Sequence, residues 1–175
     1  MINKIQFKRY VMLWYLFVLA ALVGGDQLLK HWVTTHLALG ESAPFLPGIV
    51  RFTRLHNYGA AWSSFSGKTA ILLVVTTALM IAVAILLLKK IVRHPLGVVA
   101  GLLILGGGIG NYIDRIALGY VVDMFDLQFM HYPIFNLADC FVVVGAILGA
   151  IYYLWLYEKY DKRENPHAHN ADGDN

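Results

Sequence analysis

The sequence predicts an α-helical integral membrane protein with four transmembrane helices and a small extracytoplasmic sheet. Three observations carry that prediction. The 175 residues are 58% hydrophobic and only 14% charged, whereas soluble domains run near roughly one half and one quarter. Four stretches, residues 10–25, 69–88, 96–113 and 140–157, contain no Asp, Glu, Lys or Arg. Between them lie two longer segments, 26–68 and 114–139, in which short apolar alternation meets unusual acids and amides.

The first apolar stretch is short for a bilayer, so its helix is expected to continue through Asp26, Leu28, Leu29 and Trp32, carrying an acid and a base to the membrane surface. Lys4, Lys8 and Arg9 ahead of it resemble the start of a signal peptide. The stretch ends in Gly24-Gly25-Asp26 without a small-x-small cleavage site, however, which favours an uncleaved span. The second stretch, 20 residues long, rises about 30 Å as a helix and matches the hydrocarbon thickness. In the third, Gly106, Gly107, Gly108 and Gly110 read as a packing surface. They cannot form a phosphate loop, which has to follow a strand.

Orientation follows from the Lys and Arg count on the two sides. Lys4, Lys8, Arg9, Lys89, Lys90, Arg93, Lys159, Lys162 and Arg163 share one side, leaving Lys30, Arg51, Arg54, Lys68 and Arg115 opposite. Both termini are therefore expected in the cytoplasm, with segments 26–68 and 114–139 outside. Around Val50, Phe52 and Leu55 a weak alternation predicts a short strand. Residues 120–129, β-branched and aromatic, read as extended too, and the two are expected to pair. Residues 1–163 are expected to form one membrane-embedded domain. Residues 164–175, with His167, His169, Asp172 and Asp174 but no apolar periodicity, are expected to form a disordered cytoplasmic tail.

Several function classes fall away. Cys140 is the sole cysteine, so neither an intrachain disulfide nor a CxxC metal site can be written. The net charge of +3 is accounted for by residues flanking the spans, and no basic stretch interleaved with aromatics points to nucleic acid. No Gly-x-Ser-x-Gly elbow is present, and His56 and His131 stand alone.

What remains is five polar clusters bordering the spans: Asp26-Gln27-x-x-Lys30, Asn57-Tyr58-Gly59-Ala60-Ala61-Trp62, Gly110-Asn111-x-x-Asp114-Arg115, Val121-Val122-Asp123, and Phe135-Asn136-x-Ala138-Asp139. All five fall outside the cytoplasm in the orientation above. Asp26 and Lys30 suit an i,i+4 ion pair, structural or substrate-positioning. Asn57-Tyr58-Gly59 reads as a turn whose amide could meet a substrate main chain, and Trp62 as an interfacial aromatic. Asp114 and Arg115 are better suited to bracing each other or neighbouring backbone than to chemistry. Asn136 and Asp139 fit a capping box. Asp123 has no such explanation. Two carboxyls brought together can share a proton, one acting as a base towards water and the other as an acid towards a carbonyl oxygen.

At these clusters the chain resembles the bacterial lipoprotein signal peptidases, or signal peptidase II, over roughly residues 8–160. The resemblance implies an aspartic endopeptidase of the bacterial inner membrane. It would remove signal peptides from diacylglyceryl-modified prolipoproteins on the amino side of the lipidated lipobox cysteine. Asp123 and Asp139 match the family's catalytic pair. Asn57, Gly59, Asn111, Asp114, Arg115, Asn136 and Ala138 match positions that bind substrate or support the site, and Asp26 and Lys30 match its first motif. The family fold adds a short surface helix to the four spans and the β-platform. No metal or organic cofactor is expected. The partners would be prolipoprotein substrates and membrane lipids, with no nucleic acid, and the chain would act as a monomer. Trp62 and Met124 stand where Phe is usual in the family, which bears on pocket shape. Residues 37–47, with Gly40, Pro44 and Pro47, are expected to gate the site. The competing readings are a transporter or channel subunit, which should show internal repeats and midplane acids, and a metal-using lipid transferase.

Overall fold

The computed structural model describes residues 4–59 and 69–162. Four helices long and apolar enough to cross a membrane account for most of it: α1 (Lys4–His36), α2 (Thr69–Leu88), α3 (Pro95–Leu118) and α4 (Leu137–Trp155). Three strands, β1 (Ser42–Leu46), β2 (Val50–Asn57) and β3 (Val121–Leu127), form an antiparallel sheet in that order. The expected tail and Trp62 lie outside the described residues, and no short surface helix is found beside the sheet among those described.

Helix α1 continues beyond its apolar stretch, as expected, and at 33 residues it is about 50 Å long. Tyr10, Trp14, Leu16 and Phe17 on its first half are exposed and present an apolar surface to lipid. The second half is different. Asp26, Lys30 and Val33 are buried there, so the end of α1 turns inward against the sheet and the other helices.

Helix α3 is the centre of the bundle and packs against α1, α2 and α4. Its glycines make that possible. A Cβ on Gly107 would collide with the carbonyl oxygen of Ala138 and come within 2.8 Å of Val142. From α4, Gly145 returns the favour: a Cβ there would lie 2.9 Å from the Ala100 oxygen of α3. The two backbones therefore approach more closely than any side chain allows. Pro95 opens α3 behind the His94 cap, and Gly119 closes it in the left-handed conformation at φ 81°. At the far end of the bundle, buried Asp161 accepts from the main-chain N–H groups of Arg93 and His94 and from the Tyr152 hydroxyl. That fastens the π-helical turn Tyr157–Lys162 to the α2–α3 connection.

The sheet packs on the last turns of α1 through Val33, Leu37, Phe52, Val122 and Met124. Arg54 reinforces that seat by donating to the Thr34 and Leu37 carbonyls, both at 3.0 Å, which α1 itself leaves open. The one strand pair expected from the sequence, β2 with β3, forms, and β1 adds a third member on the outer side of β2. Between Phe52↔Phe125 and Leu55↔Asp123 the register slips by one, so Thr53 and Arg54 together face Met124. Strand residues alternate faces, and a one-residue slip exchanges them. The bulge thus turns Asn57, two residues beyond Leu55, onto the same face as Asp123.

Replacing Gly107 by Ala should lower the thermal midpoint in detergent, at a cost of about 1–3 kcal/mol for overpacking. Gly25→Ala, whose Cβ would meet nothing within 4 Å, should leave the midpoint unchanged or slightly raised. Equal midpoints for both variants would contradict the close α3–α4 approach.

Candidate active site

Asp139 stands in the first turn of α4 and Asp123 in the middle of β3. Both positions have local causes. Asn136 has extended backbone and caps α4: its Oδ1 accepts from the Asp139 N–H at 2.9 Å, while Asp139 Oδ2 accepts from the Asn136 N–H at 3.2 Å. The capping box expected from the sequence therefore exists, and it also fixes the Asp139 carboxylate. Asp123, 1% exposed, is fixed from two sides. Asn136 Nδ2 donates to its Oδ1 at 2.7 Å, and Asn57 Nδ2 to its Oδ2 at 2.9 Å.

Asn111 completes the connection. Its Nδ2 donates to Asp139 Oδ1 at 2.7 Å, and its Oδ1 accepts from Asn136 Nδ2 at 3.1 Å. The two carboxyls are thus linked through two asparagine side chains from α3 and the start of α4. Burial and then the Asp139 carboxyl push Asp123 up to about 7, against the opposing pull of the Asn57 and Asn136 donors and the Lys30 charge. Near neutral pH Asp123 therefore readily holds a proton.

Beneath this pair lies a buried ionic group. Lys30 Nζ reaches Asp26 Oδ2 at 2.8 Å, Asp114 Oδ2 at 3.0 Å and Asn111 Oδ1 at 3.0 Å. The acids in turn hold backbone: Asp26 Oδ1 accepts from Ala138 N–H at 2.9 Å and Asp114 Oδ2 from Val122 N–H at 3.0 Å. The i,i+4 pair expected of Asp26 and Lys30 forms, and Asp114 braces neighbouring backbone as anticipated. Gln27, absent from the expected site residues, joins this group by donating to Asp114 Oδ1 at 2.9 Å and to the Gly110 carbonyl at 3.2 Å. Its place beside Asp26 in the first motif was the available signal. Gly110 leaves room for all this, since a Cβ there would lie 2.6 Å from Asp26 Oδ2.

Above the pair is a cavity of about 530 Å³ between α2, α3, α4 and the sheet. Its polar end is formed by Asn57, Asn111, Arg115, Asp123, Asn136 and Asp139, its apolar part by residues such as Leu79, Met80, Ile104, Val142 and Val143. Six of the expected site residues therefore line one space. The other five, Asp26, Lys30, Gly59, Asp114 and Ala138, lie behind it and support those that do.

Three details differ from the sequence reading. Both halves of the Asn57 amide are engaged within the protein, since Oδ1 accepts from Gly59 N–H at 2.9 Å. Met124 is fully buried in the core between the sheet and α1, on the opposite face from Asp123, so it does not shape the cavity. Residues 37–47 carry β1 on the far edge of the sheet and contribute nothing to the cavity lining. Residues 132–135 do. Cys140 is a half-buried residue of α4, and among the described residues no three His, Cys, Asp or Glu converge as metal ligands.

Comparison with known proteins agrees with this fold. Residues 18–155 match the family described as signal peptidase (SPase) II. The lipoprotein signal peptidase of Enterococcus faecalis is 43% identical over 148 residues, covering 85% of this chain and 91% of the relative. That of Streptococcus pyogenes serotype M2 is 48% identical over 151 residues, covering 83% and 96%. A bacterial membrane enzyme solved by the in meso method at 2.3 Å superposes with a TM-score of 0.75 at 31% identity, covering 86% of this chain and 92% of that one. A second such enzyme, solved at 1.9 Å, gives 0.74 at 32% identity, covering 81% and 92%. With the family match spanning most of its length, the chain belongs to the signal peptidase II family of bacterial membrane peptidases.

Proposed function

We propose that this chain is an aspartic endopeptidase that cleaves diacylglyceryl-modified prolipoproteins on the amino side of the lipidated cysteine, with Asp123 and Asp139 as its catalytic pair. One observation carries the reading: two carboxyls, joined through Asn111 and Asn136, stand at the polar end of an otherwise apolar cavity. The family supplies the substrate class. A transport role is not favoured, because the acids gather at the sheet end of the bundle instead of at the midplane.

Asp139 is assigned as the base and Asp123 as the acid. Both Asp139 oxygens accept hydrogen bonds, and it lies in the first turn of α4, where the helix dipole favours negative charge. Asp123 retains a proton up to about 7. A water between the carboxyls attacks the scissile carbonyl carbon as Asp139 takes its proton, while Asp123 donates to the carbonyl oxygen. The tetrahedral intermediate then collapses. Its nitrogen takes the proton from Asp139, the C–N bond breaks, and Asp123 recovers its proton from the intermediate's hydroxyl. The products are the signal peptide, with a new carboxyl group, and the lipidated cysteine, with a free amine. The chemistry calls on no metal and is complete within one chain.

The positive-inside count supports cytoplasmic termini and a site at the extracytoplasmic surface, where a membrane-crossing signal peptide ends. The cavity's position between α2 and α4 supports lateral access, with the substrate's acyl chains remaining in lipid.

The decisive test is cleavage of a diacylglyceryl prolipoprotein peptide in detergent with chelator present. The parent should cleave before the lipidated cysteine, and Asp123→Asn and Asp139→Asn should each lose at least about 1000-fold. Substantial activity in either folded variant would refute the pair. Since the acid must be protonated, kcat/KM should fall as pH rises through about 7; a flat profile from pH 6 to 9 would remove Asp123 from that role. The same proton has a stability signature. Asp123 binds it more tightly folded than unfolded, so stability should decline between 3.8, the ordinary carboxylate value, and about 7. Thermal midpoints across that range should show less decline in Asp123→Asn than in the parent.

A further inference from the structure

An asparagine can present either end of its amide to a carboxylate, and only a donor end holds the ionised form. At Asn57 the choice is made by backbone. A main-chain N–H can only donate, so the bond from Gly59 N–H to Asn57 Oδ1, at 2.9 Å, turns Nδ2 towards Asp123 Oδ2, also at 2.9 Å. Gly59 is held in turn. Arg115 Nη2 donates to its carbonyl at 3.1 Å, and Nη1 anchors the same guanidinium to the Asn111 carbonyl at 3.3 Å. A continuous path of donors therefore runs from α3 through the turn after β2 to the acid on β3.

We propose that Arg115 is a positioning residue that controls the protonation of Asp123 through Gly59 and Asn57, in addition to lining the cavity. This inference rests on the aspartic reading above. The planar fork of Arg115 spans two carbonyls on different elements, and the compact ammonium of a lysine cannot reproduce that bridge. The turn would then lose its tether. Asn57 would no longer be oriented, and Asp123 would keep its proton to higher pH because one donor to its ionised form has gone.

Other charges also act on Asp123, and the experiment has to separate them from the path. Asp139 acts on it from α4, Lys30 from α1 and Arg115 from α3, while Asp26 and Asp114 pair with Lys30 behind it; His56 on the adjacent strand pairs with Val122 and takes the other face. Thr76, Leu79 and Met80, the contribution of α2 to the cavity, carry no charge. Burial first, and then Arg54, hold His56 below its ordinary value, so it is neutral where Asp123 titrates.

The test is the alkaline limb of kcat/KM in the parent, Arg115→Lys, Asn57→Ala and the double variant. Arg115→Lys retains the charge and removes the fork. Asn57→Ala should move the limb upward by about one pH unit, the size expected for losing a hydrogen bond to a charged group. Arg115→Lys should move it in the same direction. The double variant should coincide with Asn57→Ala, because both substitutions interrupt one path. Additive shifts, or an unmoved limb in either single variant, would overturn the proposal. A parent limb that persists in a residually active Asp123→Asn variant would instead overturn the assignment of Asp123 as acid, and this inference with it.

Discussion

A lysine ammonium inside an apolar bundle needs acceptors for its three protons, and each buried carboxylate needs donors for its oxygens. Lys30, Asp26 and Asp114 answer both demands together, and the answer determines the architecture. The acids reach beyond Lys30 to the backbone of Ala138 on α4 and Val122 on β3. Lys30 itself reaches Asn111 on α3. Four elements thus meet at one ionic group, immediately behind the residues that line the cavity. Removing Lys30 would leave two buried carboxyls without their cation, and removing either acid would leave Lys30 one acceptor short, so the group acts as a unit.

Above it, the asparagines translate fixed charge into fixed orientation. Asn136 faces Asp139 N–H with its oxygen and Asp123 with its nitrogen, and Asn111 faces Lys30 with its oxygen and Asp139 with its nitrogen. In each case the partner allows one orientation only. Four donors consequently converge on two carboxyls, while burial opposes ionisation at Asp123. The outcome is a pair of carboxyls held in defined geometry, with burial favouring the protonated form of Asp123.

The four spans were legible because lipid imposes a composition that few other environments do. Their ends were less so. Helix α1 reaches His36 because Asp26 and Lys30 find partners on other elements, and α4 starts at Leu137, ahead of its apolar stretch, because Asn136 caps it. β1 was hidden by Pro44 and Pro47, since its pairing depends on β2 and not on its own alternation. For the site, motifs and family resemblance named residues that the fold brings together, but could not separate those lining the cavity from those behind it. That division depends on which face of a helix or strand each occupies. The side taken by Met124 was readable in principle, because adjacent strand residues point to opposite faces. Gln27 stands in the first motif, but spacing alone cannot show that its amide reaches Asp114 and the Gly110 carbonyl.

The bulge at Thr53 and Arg54 has a different kind of consequence. The face on which Asn57 emerges depends on how many residues separate it from Phe52, because each added or removed residue reverses the alternation. What this stretch of β2 must preserve is therefore parity. Thr53 can change identity and leave Asn57 facing Asp123, whereas a single-residue insertion or deletion would aim Asn57 at the core behind the sheet. In this part of the molecule, length is a stricter inheritance than sequence.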